Sequence, residues 1–77
     1  MTLKIISAER ILFEGETSVV TLPGEKGRFT VLPHHASLIS TLVPGKLRYM
    51  SGSEEHEIEV GGGIADIDRD VVSVSIY

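Results

Sequence analysis

Val71-Val72-Ser73-Val74-Ser75-Ile76-Tyr77 alternates between apolar and polar residues with a period of two. In an extended chain neighbouring side chains point to opposite faces. Val72, Val74 and Ile76 therefore share one face and Ser73 and Ser75 the other, which is the pattern of a half-buried strand. His56 to Val60 repeats it, with Ile58 and Val60 inward and Glu57 and Glu59 outward. Phe29 with Val31 and Leu47 with Tyr49 continue the alternation, while Leu3 to Ile6 and Arg10 to Glu14 make an opening pair of strands. Pro23-Gly24, Pro44-Gly45, Ser51-Gly52 and Gly61-Gly62-Gly63 supply turn residues between these runs. Strands at intervals of about 8 to 12 residues predict an all-β fold, an antiparallel sandwich or barrel. Between Pro33 and Pro44, residues His34 to Val43 read as an irregular strand in preference to a helical turn.

The chain's 77 residues allow one domain, 1–77, around one hydrophobic core. A chain of this size buries only roughly 60% of the surface it exposes when unfolded, so a partner would add to a thin margin. With no cysteine there is neither a disulfide framework nor a thiolate zinc site. The start at Met1 shows no basic segment followed by an apolar stretch, which predicts a cytosolic chain. No apolar run approaches the roughly 20 residues that span a bilayer, so membrane association is expected only through a partner. Eleven acidic residues against seven basic ones give a net charge of -4, which argues against nucleic acid as a ligand. Aromatic residues at 5%, with no tryptophan, argue against a free-standing module that stacks on sugars or bases, the main alternative reading.

Motifs that would carry chemistry fail at defined positions. Asp66, Asp68 and Asp70 open like a calcium-binding loop, but the sixth position holds Val71 where glycine is needed and the twelfth holds Tyr77 where a bidentate acid is needed. They read instead as a strand entering a tight turn at Asp68-Arg69-Asp70, with solvated carboxylates. Gly61-Gly62-Gly63 follows a strand as a dinucleotide fingerprint would, yet the third glycine position holds Asp66 and no helical pattern follows. A bulge or a close approach between backbones explains these glycines better. His34 and His35 point to opposite faces of an extended chain and leave only a distant His56 as a third zinc ligand. No Gly-x-Ser-x-Gly turn supports a nucleophile, and Glu54, Glu55 and Glu57 form a solvated acidic hairpin tip. Neither catalysis nor a cofactor is expected.

One segment does not suit a simple hairpin. Val31-Leu32-Pro33-His34-His35-Ala36-Ser37-Leu38-Ile39 is apolar yet broken by proline and paired histidines. Apolar residues displayed around an irregular bend predict a docking surface, hence an adaptor.

Five ordered blocks carry a family resemblance. Leu22-Pro23-Gly24-Glu25-Lys26-Gly27-Arg28-Phe29, then Val31 to Leu38, then Pro44-Gly45, resemble the P-G-x-x-G-x-x turn, the V-L-P-G-H-A-P-L segment and the P-G turn of the epsilon subunit of bacterial F-type ATP synthases. Ile6 to Glu16 is similar to that family's V-S-P-E-x-x-L-F-x-G-x opening, and Val60 to Ile67 to its V-S-G-G-F-x-E-V segment. The resemblance spans the chain. It implies an antiparallel β-sandwich of about ten strands, a non-catalytic central-stalk (rotor) subunit that joins the gamma subunit to the polar loops of the c-ring, and so helps couple proton or sodium flow to ATP synthesis. It implies gamma contacts at Leu32, His35, Ala36 and Leu38, ring contacts at Glu25, Lys26, Gly27 and Arg28, and a peripheral position on the cytoplasmic face of the bacterial inner membrane. Three positions depart from the family: His34 replaces a glycine, Ser37 a proline, and Arg28 an acidic residue. The family's C-terminal pair of helices has no counterpart in these residues.

Overall fold

A computed structural model describes residues 1–8 and 10–77. Among them nine strands form, at Thr2–Ser7 (β1), Arg10–Glu16 (β2), Val20–Gly24 (β3), Gly27–Val31 (β4), Leu38–Leu42 (β5), Gly45–Ser51 (β6), Glu54–Val60 (β7), Gly63–Asp68 (β8) and Val71–Ile76 (β9). The all-β expectation holds, with nine strands in place of about ten.

The hydrogen-bonded order is β2-β1-β9-β8-β5-β3-β6-β7, with β4 on β3. Eight strands laid flat at the usual spacing would span about 34 Å, whereas the longest dimension is 25 Å. The sheet therefore curls back on itself, and the Phe13 ring of β2 meets the Tyr49 ring of β6 at 4.5 Å. The corner lies where β5 reaches β3. Only Gly24 and Leu42 pair there, flanked by Val43 N donating to Pro23 O at 2.9 Å and Glu25 N donating to Thr41 O at 2.9 Å.

The expected alternation is met in β4, β6, β7 and β9, with Phe29 and Ile58 half-buried. Val72, Val74 and Ile76 are buried, as are Leu47, Tyr49, Val31 and Val60, and Leu3, Ile5, Val20, Leu22, Leu42, Ala65 and Ile67 complete the core. Among the described residues no charged side chain enters it. Leu3 to Ile6 and Arg10 to Glu14 do pair as β1 and β2. A bulge between Ile5 and Ile6 leaves Leu12 without an opposite residue and bends the edge strand.

Three expectations need correction. The ladder is not wholly antiparallel, because β1 and β9 run parallel, Leu3 beside Val72 and Ile5 beside Val74. A parallel pair needs a long connection, and the whole intervening chain supplies it. Pro23-Gly24 is not a turn but the buried end of β3, paired with Arg28 and Gly27; the turn falls at Glu25-Lys26. A Cβ on Gly24 would lie 2.8 Å from the Phe29 ring, so its glycine serves packing. Finally, His34 to Val43 is strand only from Leu38; before that the chain bends.

The glycine triplet is the close approach anticipated. Gly61 N donates to Tyr77 O at 2.8 Å. Gly63, at φ 151°, sits so near β9 that a Cβ would lie 2.9 Å from the Ile76 Cα.

Candidate functional site

The irregular bend is built by two opposing demands. Leu32-Pro33-His34-His35 closes as a β-turn, with His35 N donating to Leu32 O at 3.2 Å. Proline presets the second turn position and His34 takes φ 66° at the third, the arrangement of a type II turn. That position favours glycine, which explains why the resembling family carries one there. His34 and His35 are thus on a turn and not on an extended strand. The His35 Nδ1–H donates to Ala36 O at 2.7 Å, which fixes the protonated nitrogen when the ring is neutral. Among the described residues no group of three His, Cys, Asp or Glu side chains can hold a metal ion.

Every residue from Leu32 to Ser37 is exposed, Leu32 at 56%. Leu32, His35 and Ala36 are brought together on this bend. Leu38 begins β5 and lies elsewhere. With Ile39, Ser40 and Thr41 it lines one wall of a groove of about 440 Å³, whose other wall is Glu25, Lys26, Gly27, Arg28 and Phe29. The four residues predicted to meet the ring therefore share a groove with one predicted to meet gamma. The two surfaces are continuous through β5. Ile39 is 71% exposed and pairs with Asp66. Ile64 is also exposed and sits opposite Thr41, so the outer face of β5 and β8 carries an apolar diagonal that the alternation alone did not single out.

The bend is held by side chains of the β8–β9 turn. Asp70 Oδ1 accepts from His34 N at 2.8 Å and Asp68 Oδ1 accepts from the Ser37 hydroxyl at 2.8 Å. These carboxylates are not merely solvated, which corrects the reading of the Asp68-Arg69-Asp70 turn. The His34 amide bond, aided by the nearby amino terminus, holds the Asp70 carboxyl below the usual aspartate range. The Met1 ammonium stands 3.6 Å from Asp70 and 3.1 Å from Glu16. By contrast the acidic tip at Glu54 and Glu55 makes no such contact with the bend, and Glu57 pairs instead with Arg48 at 2.6 Å and Lys46 at 3.5 Å.

Residues 1–76 match the family described as the ATP synthase Delta/Epsilon chain beta-sandwich domain. The chain belongs to that family. Among its relatives, the ATP synthase epsilon chain of Acidithiobacillus ferridurans is 41% identical over 71 residues, covering 92% of this chain and 50% of that one. The ATP synthase epsilon chain of Dehalococcoides mccartyi is 40% identical over 74 residues, covering 96% and 53%. The epsilon-family chain thus spans about half the length of the curated relatives it matches. The same fold occurs in cryo-EM structures of mitochondrial ATP synthases. For Euglena gracilis the TM-score is 0.89 at 22% identity, covering 96% of this chain and 48% of that one. For the central stalk and c-ring of Tetrahymena thermophila it is 0.80 at 12% identity, covering 97% and 61%. No helix among the described residues is long and apolar enough to cross a membrane.

Proposed function

We propose that the chain is a non-catalytic rotor subunit of an F-type ATP synthase, docking the gamma subunit through the Leu32–Ser37 bend and Leu38 and the c-ring loops through the Glu25–Arg28 turn. The observation that carries this reading is the exposed surface described above. An apolar bend runs directly into β5, and β5 shares a groove with the turn at Glu25 to Arg28. One subunit can then touch two neighbours with one contiguous face. Its role is mechanical: it joins two parts that turn together, so that ion flow through the ring is coupled to ATP synthesis elsewhere in the complex. The location follows as peripheral, on the cytoplasmic side of a bacterial inner membrane, held there by the ring. The turn offers Lys26 and Arg28 beside Glu25, so acidic or polar ring loops are the fitting partners.

Ala36→Arg tests the gamma side. A guanidinium trapped unpaired at an interface costs several kcal/mol by order of magnitude, while on the free subunit the same side chain stays in water. The expected outcome is an unchanged circular dichroism melt and lost capture of gamma. Undiminished gamma binding would move the interface elsewhere, and loss of folding would move Ala36 into the core.

A further inference from the structure

The Leu32–Ser37 bend lacks what usually fixes a backbone. It lies between β4 and β5, pairs with no strand, and is exposed at every residue. Its one internal backbone bond is the 3.2 Å turn bond from His35 N to Leu32 O. His34 also holds φ 66°, which a non-glycine residue leaves readily unless something opposes it. Two outside contacts do so, both from the β8–β9 turn: Asp70 on the His34 amide and Asp68 on the Ser37 hydroxyl, each at 2.8 Å. They grip the bend three residues apart, on either side of His35 and Ala36. The turn that supplies them is itself shaped for this, with Arg69 at φ 50° and Asp70 at φ 63°.

We infer that Asp68 and Asp70 are positioning residues for partner docking: they clasp the Leu32–Ser37 bend in the one conformation that presents Leu32, His35 and Ala36 to the gamma subunit. The inference rests on the docking role proposed above for that bend. A loop free to sample other conformations binds with an affinity reduced by the fraction of time it spends in the competent one. The clasp raises that fraction without touching the partner. Ser37, where the family has proline, gains its restraint from Asp68 in place of a ring.

Asp70→Gly separates the clasp from the turn. Glycine suits the second position of a turn with positive φ at both residues, so the hairpin keeps its shape while the carboxylate is lost. Asp70→Asn retains an oxygen able to accept from the His34 amide. In the full chain, Asp70→Gly is expected to speed hydrogen exchange at the His34 amide, leave the melting temperature near the parent's, and weaken gamma binding about three- to tenfold. Asp70→Asn is expected to behave as the parent in all three. Ser37→Ala, which leaves the turn untouched, is expected to weaken binding to a lesser degree. Unchanged His34 exchange in Asp70→Gly would overturn the clasp. So would parental affinity in Asp70→Gly while Ala36→Arg loses gamma, and this outcome spares the docking reading. If both variants bind gamma as the parent does, the docking reading fails and the positioning role with it. Should Asp70→Gly not fold, Ser37→Ala decides, and parental affinity there overturns the inference.

Discussion

The β6–β7 hairpin closes through Gly52-Ser53 and the β8–β9 hairpin through Arg69-Asp70. Both loops have two residues, yet they solve the turn differently. Gly52 takes φ 64° with open space around it, and Ser53 is not in the left-handed region, the arrangement of a type II′ turn. The second hairpin places two side-chain-bearing residues at φ 50° and 63°, as a type I′ turn requires. Each such residue costs about 1–2 kcal/mol where glycine would cost little. The tip that only has to turn uses glycine. The tip that has to reach another segment keeps a carboxylate and accepts the strain. The strands beneath differ as well: β7 is an edge strand, while β9 lies between β1 and β8.

The largest test of that contrast is a charge placed on each hairpin's inner face. Val74 is buried in the middle of the sheet. A domain of this size has about 4–12 kcal/mol of total stability at about 0.05–0.15 kcal/mol per residue, and an unpaired buried guanidinium consumes most of it. Val74→Arg should leave no cooperative melt by circular dichroism. Ile58, half-buried on the edge strand, lets an arginine head reach water along its own stem. Ile58→Arg should fold and lose about 1–2 kcal/mol. Equal damage from both would erase the distinction between edge and centre.

Glycine replacement sharpens it at the next level. At Gly63 an added Cβ would lie 2.9 Å from the Ile76 Cα and 3.0 Å from the Ser75 carbonyl carbon, both backbone atoms of β9. Gly63→Ala should destabilise by about 3 kcal/mol or more, since the neighbouring strand must move. Gly52→Ala meets no atom and pays only for its positive φ, about 1 kcal/mol. At about 4–8 °C per kcal/mol, differential scanning calorimetry resolves the two readily. A milder loss at Gly63 than at Gly52 would contradict the close approach of β8 to β9.

The smallest effect is electrostatic. Each hairpin holds one carboxyl below its ordinary pKa: Glu57 chiefly through its bond to Arg48, Asp70 chiefly through the His34 amide. The unfolded chain then takes up protons more readily than the folded one. The stability these groups add is present above the ordinary carboxylate range, about pH 4, and is lost as pH falls through their depressed values. Glu57 is exposed and Asp70 only half-buried, so the slope should be shallow. Salt tells them apart, because an ion pair is screened and a bond to a backbone amide is screened less. In melts run against pH, Glu57→Gln should flatten the acid slope at low salt only, and Asp70→Asn at both. Identical salt responses would mean that the two carboxylates are held by the same kind of interaction.

What could be read beforehand divides along the same line. The inward rows of β7 and β9 were legible because alternation is local, and Ser51-Gly52 announced its turn because glycine there answers a local demand. The run Asp68-Arg69-Asp70 marks a turn by its own residues, but nothing in adjacent positions shows that Asp68 and Asp70 reach a bend 31 and 36 positions away. The parallel β1–β9 ladder is illegible for the same reason, since pairing partners leave no mark on each other's period. Pro23-Gly24 misled in the opposite direction: two turn-forming residues sit inside a strand because Gly24 must pass under the Phe29 ring. The residues proposed for docking rest on the family resemblance and not on the period of the chain. The exposed bend and the groove beside it gave them a shape, while the second exposed row, Ile39 and Ile64, needed the β5–β8 register to be seen.

The parallel ladder between β1 and β9 also sets an order of events during synthesis. Among the described strands β1 leaves the ribosome before the others, whereas β9, one of its two neighbours, leaves after them. Until Val71 to Ile76 emerge, Leu3 and Ile5 lack the Val72 and Val74 they lie beside, and β8 has no second partner in that layer. Early hairpins can form, but the layer cannot close. Such distant pairing slows folding and leaves apolar strand faces exposed for the duration. A chain stopped at Asp70 is therefore expected to remain uncollapsed and chaperone-bound, and a cooperative melt from such a chain would show that the sandwich closes without its last strand.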